Sequence, residues 1–189
     1  MIQSRSLSVK DFGLTSQLAV AKVFWVVTFA LLTAVGARVE IPHSPVPFTL
    51  QTFFVLLAGG LLGARKGSFS MALYLALGIV GFPVFSSASF GVLALVGPTG
   101  GYLLSFPLAA FLVGALIGER RSMLWIVAAM TAGLVCIFGL GTLQLWIVTG
   151  MPFSGAMAGG FLIFSWWDLL KLAAAGAITH QMLRRSTLH

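Results

Sequence analysis

Charge is the scarcest feature of this sequence: 15 of 189 residues are Asp, Glu, Lys or Arg, and only four of those are acidic. That leaves too little polar surface to cover a soluble globule of this size. Cysteine is almost absent as well. The single Cys136 lies in an apolar segment, which rules out an intrachain disulfide, and no Cys/His spacing suits a metal; an inert buried thiol is expected. Catalytic signatures are missing too. The stretch Gly97-Pro98-Thr99-Gly100-Gly101 lacks the Gly-Lys-Ser/Thr ending with which a P-loop holds nucleotide, and it reads instead as a close-packed turn opening a helix. There is no Gly-x-Ser-x-Gly elbow, no His-Glu-x-x-His and no pair of catalytic carboxylates. His43, His180 and His189 have no evident partner in the sequence. These absences argue against an enzyme, and no cofactor or metal is expected.

What is present is hydrophobic. Apolar residues make up 59% of the chain and the mean hydropathy is +1.04, with runs approaching the roughly 20 residues that span a bilayer. The expected class is an all-α integral membrane protein. A net charge of +7 and a pI near 10.6 do not point to nucleic acid, because the basic residues punctuate the ends of apolar runs and form no polar domain.

The runs are read as 18–37, 49–63, 67–82, 100–118, 123–149 and 159–183. Runs two and three are short and need neighbours or loop residues to complete a crossing. Run four contains Pro107 as a tolerated kink, and run five is long enough to tilt or bend at Gly139 and Gly141. Three prolines, Pro42, Pro45 and Pro47, make 38–48 an extended loop. The polar start carries Arg5, Lys10, Asp11 and Lys22 and has the apolar spacing of a short interfacial helix. A cleaved signal peptide ending near Ala34-Val35-Gly36-Ala37 is disfavoured by its long, acid-containing n-region and by the spans that follow.

With six spans and an internal N-terminus, nine of the 11 basic residues fall on the cytoplasmic side: Arg5, Lys10, Lys22, Arg65, Lys66, Arg120, Arg121, Arg184 and Arg185. Arg38 is then outside and Lys171 within a span. The predicted organisation is a single membrane domain over 1–189: a cytoplasmic segment 1–17, a six-helix transmembrane bundle 18–185 and a tail 186–189. Both termini face the cytoplasm, and loops 38–48, 82–99 and 150–158 face out. An echo between 56–66 and 111–121 is read as two helices leaving the membrane on the same side and not as a repeat.

Asp168 and Lys171 stand out, an acid and a base three residues apart inside the last apolar run. On a helix they share a face and neutralise each other, bordered by Ser165 and Trp167. One reading is a salt bridge that fixes helix packing; the other is a pocket, since ionisable residues at membrane depth tend to line sites. A nearly balanced pair suits a neutral polar head, with Asp168 accepting from N–H groups and Lys171 donating to a carbonyl. Phe85, Phe90 and Tyr102 flank the long uncharged connection, and Trp166 and Trp167 adjoin the pair, so that an apolar body would sit below a flexible cover. Thr49, Gln51 and Gln144 are further candidate hydrogen-bonding groups, with interhelical bonding as the alternative for each.

Several segments together closely resemble the BioY family, the biotin-specific S components of energy-coupling factor (ECF) transporters. They are Val46-Pro47-Phe48-Thr49-Leu50-Gln51-Thr52, Leu57-Ala58-Gly59, Leu62-Gly63-Ala64-Arg65-Lys66-Gly67, the stretch 74–85, Gly97-Pro98-Thr99-Gly100-Gly101-Tyr102-Leu103 and Asp168-Leu169-Leu170-Lys171. The resemblance runs from about 18 to 185. It implies a six-helix protein of a prokaryotic cytoplasmic membrane that binds biotin from the outer side, with 82–99 as a lid. Asp168 and Lys171 would touch the polar parts of the vitamin, and Gly97, Thr99, Gly100, Gly101 and Tyr102 would help enclose it. Lys171, the Gly100 or Gly101 amides, Thr99 and Arg38 are all options for the biotin carboxylate. The resemblance further implies docking of an energy-coupling transmembrane protein, with its two ATPase subunits, through Ala30 and Ala34 of an Ala-x-x-x-Ala pattern. The same small-residue spacing serves internal packing. An ion- or proton-coupled carrier and a structural membrane subunit are the alternative functions.

Overall fold

A computed structural model of the protein describes residues 9–162 and 166–185. Ser165, residues 1–8 of the N-terminal segment and the tail 186–189 lie outside the described residues. The chain is mostly helical. Helix α1, Val9–Gly36, leads to a two-rung antiparallel hairpin, β1 (Glu40–Ile41) paired with β2 (Phe48–Thr49) in the register Glu40 to Thr49 and Ile41 to Phe48. Helix α2, Gln51–Val80, follows. After it come a 3₁₀ turn at Ser86–Ala88, the short α3 (Val92–Val96), α4 (Gly100–Ile117) and α5 (Met123–Thr149). A single turn α6 (Phe153–Ala156), a π-helical turn Met157–Phe161 and α7 (Trp166–Arg185) complete the order.

Runs two and three are the two arms of α2, joined where Gly63 adopts φ 77° and ψ 175°. That backbone region is open essentially to glycine alone. The arms fold back on each other: a Cβ placed on Gly67 would lie 2.8 Å from the Ala58 carbonyl, and Gln51 at the start of one arm reaches Tyr74 in the other. Arg65 and Lys66 sit at this reversal. Helix α4 crosses it closely, since a Cβ on Gly114 would lie 2.2 Å from the Ala64 nitrogen.

Other expectations shift in detail. Run one begins earlier, because α1 is continuous from Val9 and takes in residues 9–17 of the presumed separate segment. Loop 38–48 carries the hairpin, and connection 82–99 carries α3. Pro107 sits inside α4 without ending it, and α5 runs 27 residues unbroken through Gly139 and Gly141.

Among the described residues two helices, α4 and α5, are long and apolar enough to cross a membrane, and the bent pair Phe153–Phe161 with Trp166–Arg185 makes a third if it is one span. The apolar part of α1, Val20–Gly36, is shorter. The elements pack in a ring: α1 on α2, α2 on α4, α4 on α5, α5 on α7, and α7 back on α2. Leu56, Met71, Phe106, Met130, Leu134 and Ile137 are buried in the core between α2, α4 and α5. The closure of α7 onto α2 places the charged pair against the chain that enters α2.

Candidate functional site

The site begins with the three-residue spacing on α7. Lys171 Nζ lies 2.6 Å from Asp168 Oδ1. Asp168 is 1% exposed and Lys171 8%, so both charges have left water and need close partners. Lys171 finds two more across the helix interface: it donates to the Thr49 carbonyl at 2.9 Å and to Thr52 Oγ1 at 2.7 Å. The carbonyl is available because Thr49 precedes Leu50, the N-cap of α2, so its oxygen lies outside the helical hydrogen-bond ladder.

Behind Thr49 runs a chain of polar groups whose direction is fixed. Tyr74 donates its hydroxyl hydrogen to the Val84 carbonyl at 3.1 Å, so it must accept from the Gln51 amide nitrogen. The Gln51 amide oxygen then faces the Thr49 hydroxyl, which donates to it at 2.8 Å. Both ends of the Gln51 amide are thereby engaged, and the chain links the Lys171 partner Thr49 to Val84 at the root of connection 82–99.

Between the hairpin, α2, α4, α5 and α7 lies a cavity with about 580 Å³ of unfilled space including its mouth. Asp168, Lys171, Gln51, Thr49, Thr52, Thr99 and Ser86 supply its polar lining; Phe48, Leu103, Phe106, Ile137, Phe138 and Tyr102 are among its apolar walls. Tyr102 contributes its ring. Its hydroxyl points to the Gly160 carbonyl at 3.0 Å and to Thr142 Oγ1 at 3.4 Å, and the ring fills the space where Gly141 lacks a side chain.

Of the residues singled out in the sequence, Asp168, Lys171, Thr49, Gln51, Thr99 and Tyr102 thus meet at one cavity. The others lie around it. Phe85 is buried in the notch left by Gly78, edge-on to Tyr74 at 5.5 Å, where it anchors the connection. Gln144 donates to the Leu95 and Gly97 carbonyls at 2.8 and 2.9 Å and so holds the end of α3. Gly100 and Gly101 are buried, packed against Leu95 and against Leu140 with Gln144, and the Gly100 amide donates to Gly97 at 3.0 Å. Phe90 is 57% exposed. Trp167, 41% exposed and stacked on Trp166, lines a second, outer groove with Val39, Glu40 and Ile41 on the far side of Thr49 and Lys171. Ala30 is fully buried on the face of α1 that meets α2, and Ala34 is half-buried.

Comparison with known proteins bears on this arrangement. The family model described as "BioY family" matches residues 8–187. The chain belongs to the BioY family. Among relatives in that family, the "Biotin transporter BioY" of Thermotoga maritima is 44% identical over 150 residues, 79% of this chain and 88% of that one. The "Probable biotin transporter BioY" of Pyrococcus horikoshii is 38% identical over 161 residues, 85% of this chain and 95% of that one. The fold is that of a crystal structure of the S-component for biotin from an ECF-type ABC transporter: the TM-score is 0.83 at 21% identity, over 95% of each chain.

Part of the lining is not legible in the sequence. Thr52, Ser86, Leu103, Phe106, Ile137 and Phe138 carried no isolated signal, being ordinary residues of apolar runs or of an uncharged connection. Thr52 is the most legible of them, because it stands beside Thr49 and Gln51 in the polar segment that opens the second apolar run.

Proposed function

We propose that this chain is the biotin-binding subunit of an ECF-type transporter, capturing the vitamin at the outer side of a prokaryotic cytoplasmic membrane. The observation that carries the reading, beside family membership, is a buried carboxylate beside a buried ammonium in a cavity whose remaining walls are mainly aromatic and aliphatic with a few uncharged polar groups. Biotin has a ureido head with two N–H donors and one carbonyl, and an apolar thiophane and chain. A carboxylate only accepts, on about four lone-pair sites, which suits Asp168 to ureido N–H groups. The aromatic and aliphatic walls suit the rest.

In this reading α1, both arms of α2, α4, α5 and α7 are six membrane-crossing segments in contact with lipid, with Arg65, Lys66, Arg120, Arg121, Arg184 and Arg185 at cytoplasmic ends. The paired arms of α2 shelter each other's short apolar length. The connection 82–99 is the lid over the cavity. Inward release is coupled to an energy-coupling transmembrane protein and two ATPase subunits. The exposed apolar face of α1, with Val20, Phe24, Leu31 and Val35, is open to lipid or to that protein; of the Ala pair, Ala34 is the member nearer that face.

The test is equilibrium binding of biotin to the detergent-purified protein. The expected dissociation constant is about micromolar or tighter, roughly −8 kcal/mol or better. Binding is expected to be lost in Asp168→Asn and Lys171→Ala variants that elute as folded monodisperse protein. Full affinity in both variants would show that the pair only cements α7 to α2.

A further inference from the structure

The Lys171 ammonium carries three hydrogens, and three acceptors surround it: Asp168 Oδ1, Thr52 Oγ1 and the Thr49 carbonyl, at 2.6, 2.7 and 2.9 Å. In this arrangement it has none left for a ligand. Thr52 is in the complementary position. Its oxygen accepts from the ammonium, and among the described residues nothing accepts its hydrogen. The residue is buried and lines the cavity. A hydroxyl that already accepts a bond from a cation becomes a stronger donor, because hydrogen bonds in a chain polarise one another in a low-dielectric interior.

We infer that the Thr52 hydroxyl is the donor the cavity offers to the carbonyl oxygen of the ligand's ureido head, with Lys171 acting through it and Asp168 receiving the N–H groups. The inference rests on the reading of the chain as a biotin-binding subunit and adds a specificity device to it. The Thr52 oxygen keeps a second lone pair, but with its hydrogen unclaimed and polarised by the ammonium the hydroxyl favours an acceptor at that point of the ligand. A ligand with N–H there would turn donors toward the ammonium and leave the Thr52 hydrogen without an acceptor, a mismatch that buried sites discriminate.

The competing geometry is one in which the ligand carbonyl pulls Lys171 away from Thr52, and the two differ in sign. If Thr52 donates, Thr52→Val weakens biotin binding by about tenfold or more, the loss expected for a charge-assisted bond, and Thr52→Ser restores it to within a few-fold. If Lys171 must instead be released from Thr52, the valine variant binds equally well or more tightly, which overturns the inference. A second measurement needs no variant. The guanidine of 2-iminobiotin is protonated at neutral pH and presents N–H where biotin has its carbonyl, so the unaltered protein should prefer biotin by more than about tenfold. Equal binding of the two overturns the inference. Failure of the unaltered protein to bind biotin at all overturns the functional reading itself.

Discussion

At Tyr74 a single hydroxyl closes two hydrogen bonds inside the bundle, accepting from Gln51 and donating to Val84. Tyr74→Phe leaves the Gln51 amide nitrogen and the Val84 carbonyl without that partner in a buried setting. The expected loss is about 1–3 kcal/mol of stability, read as a lower midpoint of thermal unfolding in detergent, with biotin affinity falling less than in Asp168→Asn because no ligand contact is removed. An unchanged midpoint would mean that water replaces the hydroxyl at no cost. Tyr74 also illustrates what the sequence exposes at this scale. Asp168 and Lys171 are conspicuous because charge is rare in the apolar runs, whereas Gln51 shows a polar side chain without showing that both its amide ends are occupied. The acceptors that complete Lys171 are harder still to foresee. One is the backbone carbonyl of Thr49, and every residue but its register looks alike in that respect; the other is one hydroxyl among many, selected by the closure of α7 on α2.

For whole elements, the reversal at Gly63 governs most. Its φ of 77° with ψ of 175° belongs to glycine, so Gly63→Ala forces the turn to rebuild, at a cost of about 1–3 kcal/mol, although open space surrounds the position. Gly139 is the matched control: it too has nothing within 4 Å of a would-be Cβ, but it lies in unbroken helix α5. There an alanine is expected to be neutral or stabilising by about 0.5–1 kcal/mol. Thermal unfolding of the two variants side by side separates backbone conformation from packing. The edges of α4, α5 and α7 follow from where apolar runs meet Arg120 and Arg121, Gly150, and Arg184 and Arg185, and they are readable for that reason. The pairing of the α2 arms was not, since two short runs separated by Arg65 and Lys66 read equally well as independent segments. What decides it is the close approach of Gly67 to Ala58, a tertiary fact. Phe85 and Gln144 were likewise seen as polar or aromatic outliers facing a pocket, while the fold employs them to pin the connection from behind.

Across the molecule, the connection 82–99 is the part on which the proposed reading makes its most distinctive demand, because an outer ligand must pass it. It is fastened at five places: the Val84 carbonyl to Tyr74, Phe85 in the Gly78 notch, Ser87 to Glu40, the Gly91 amide to the Gly78 carbonyl, and the Leu95 and Gly97 carbonyls to Gln144. Four of these draw on helices α2 and α5. The Ser87 tie is the exception, since Glu40 lies in the β1–β2 hairpin and accepts from the Ser87 backbone N–H at 2.9 Å and from its hydroxyl at 3.2 Å, away from the helix core. It also holds the connection where Ser87 and Ala88 adopt positive φ of 52° and 56°, a conformation that costs energy in residues other than glycine and lasts only where neighbours enforce it. Glu40→Ala should therefore loosen the cover and leave the bundle intact, with a loss of thermal stability of no more than about 1–2 kcal/mol, since half-buried Glu40 gives up its two bonds to Ser87 outside the helix core. A clasp that is closed with and without ligand is a barrier to both entry and exit. Its removal is expected to raise the association and dissociation rates of biotin together by several-fold, with a much smaller change in their ratio. Asp168→Asn instead removes a ligand contact and acts mainly on dissociation, as most contact losses do. Stopped-flow tryptophan fluorescence during biotin mixing and chasing measures both rates. If Glu40→Ala leaves association unchanged, ligand entry does not require movement at Ser87.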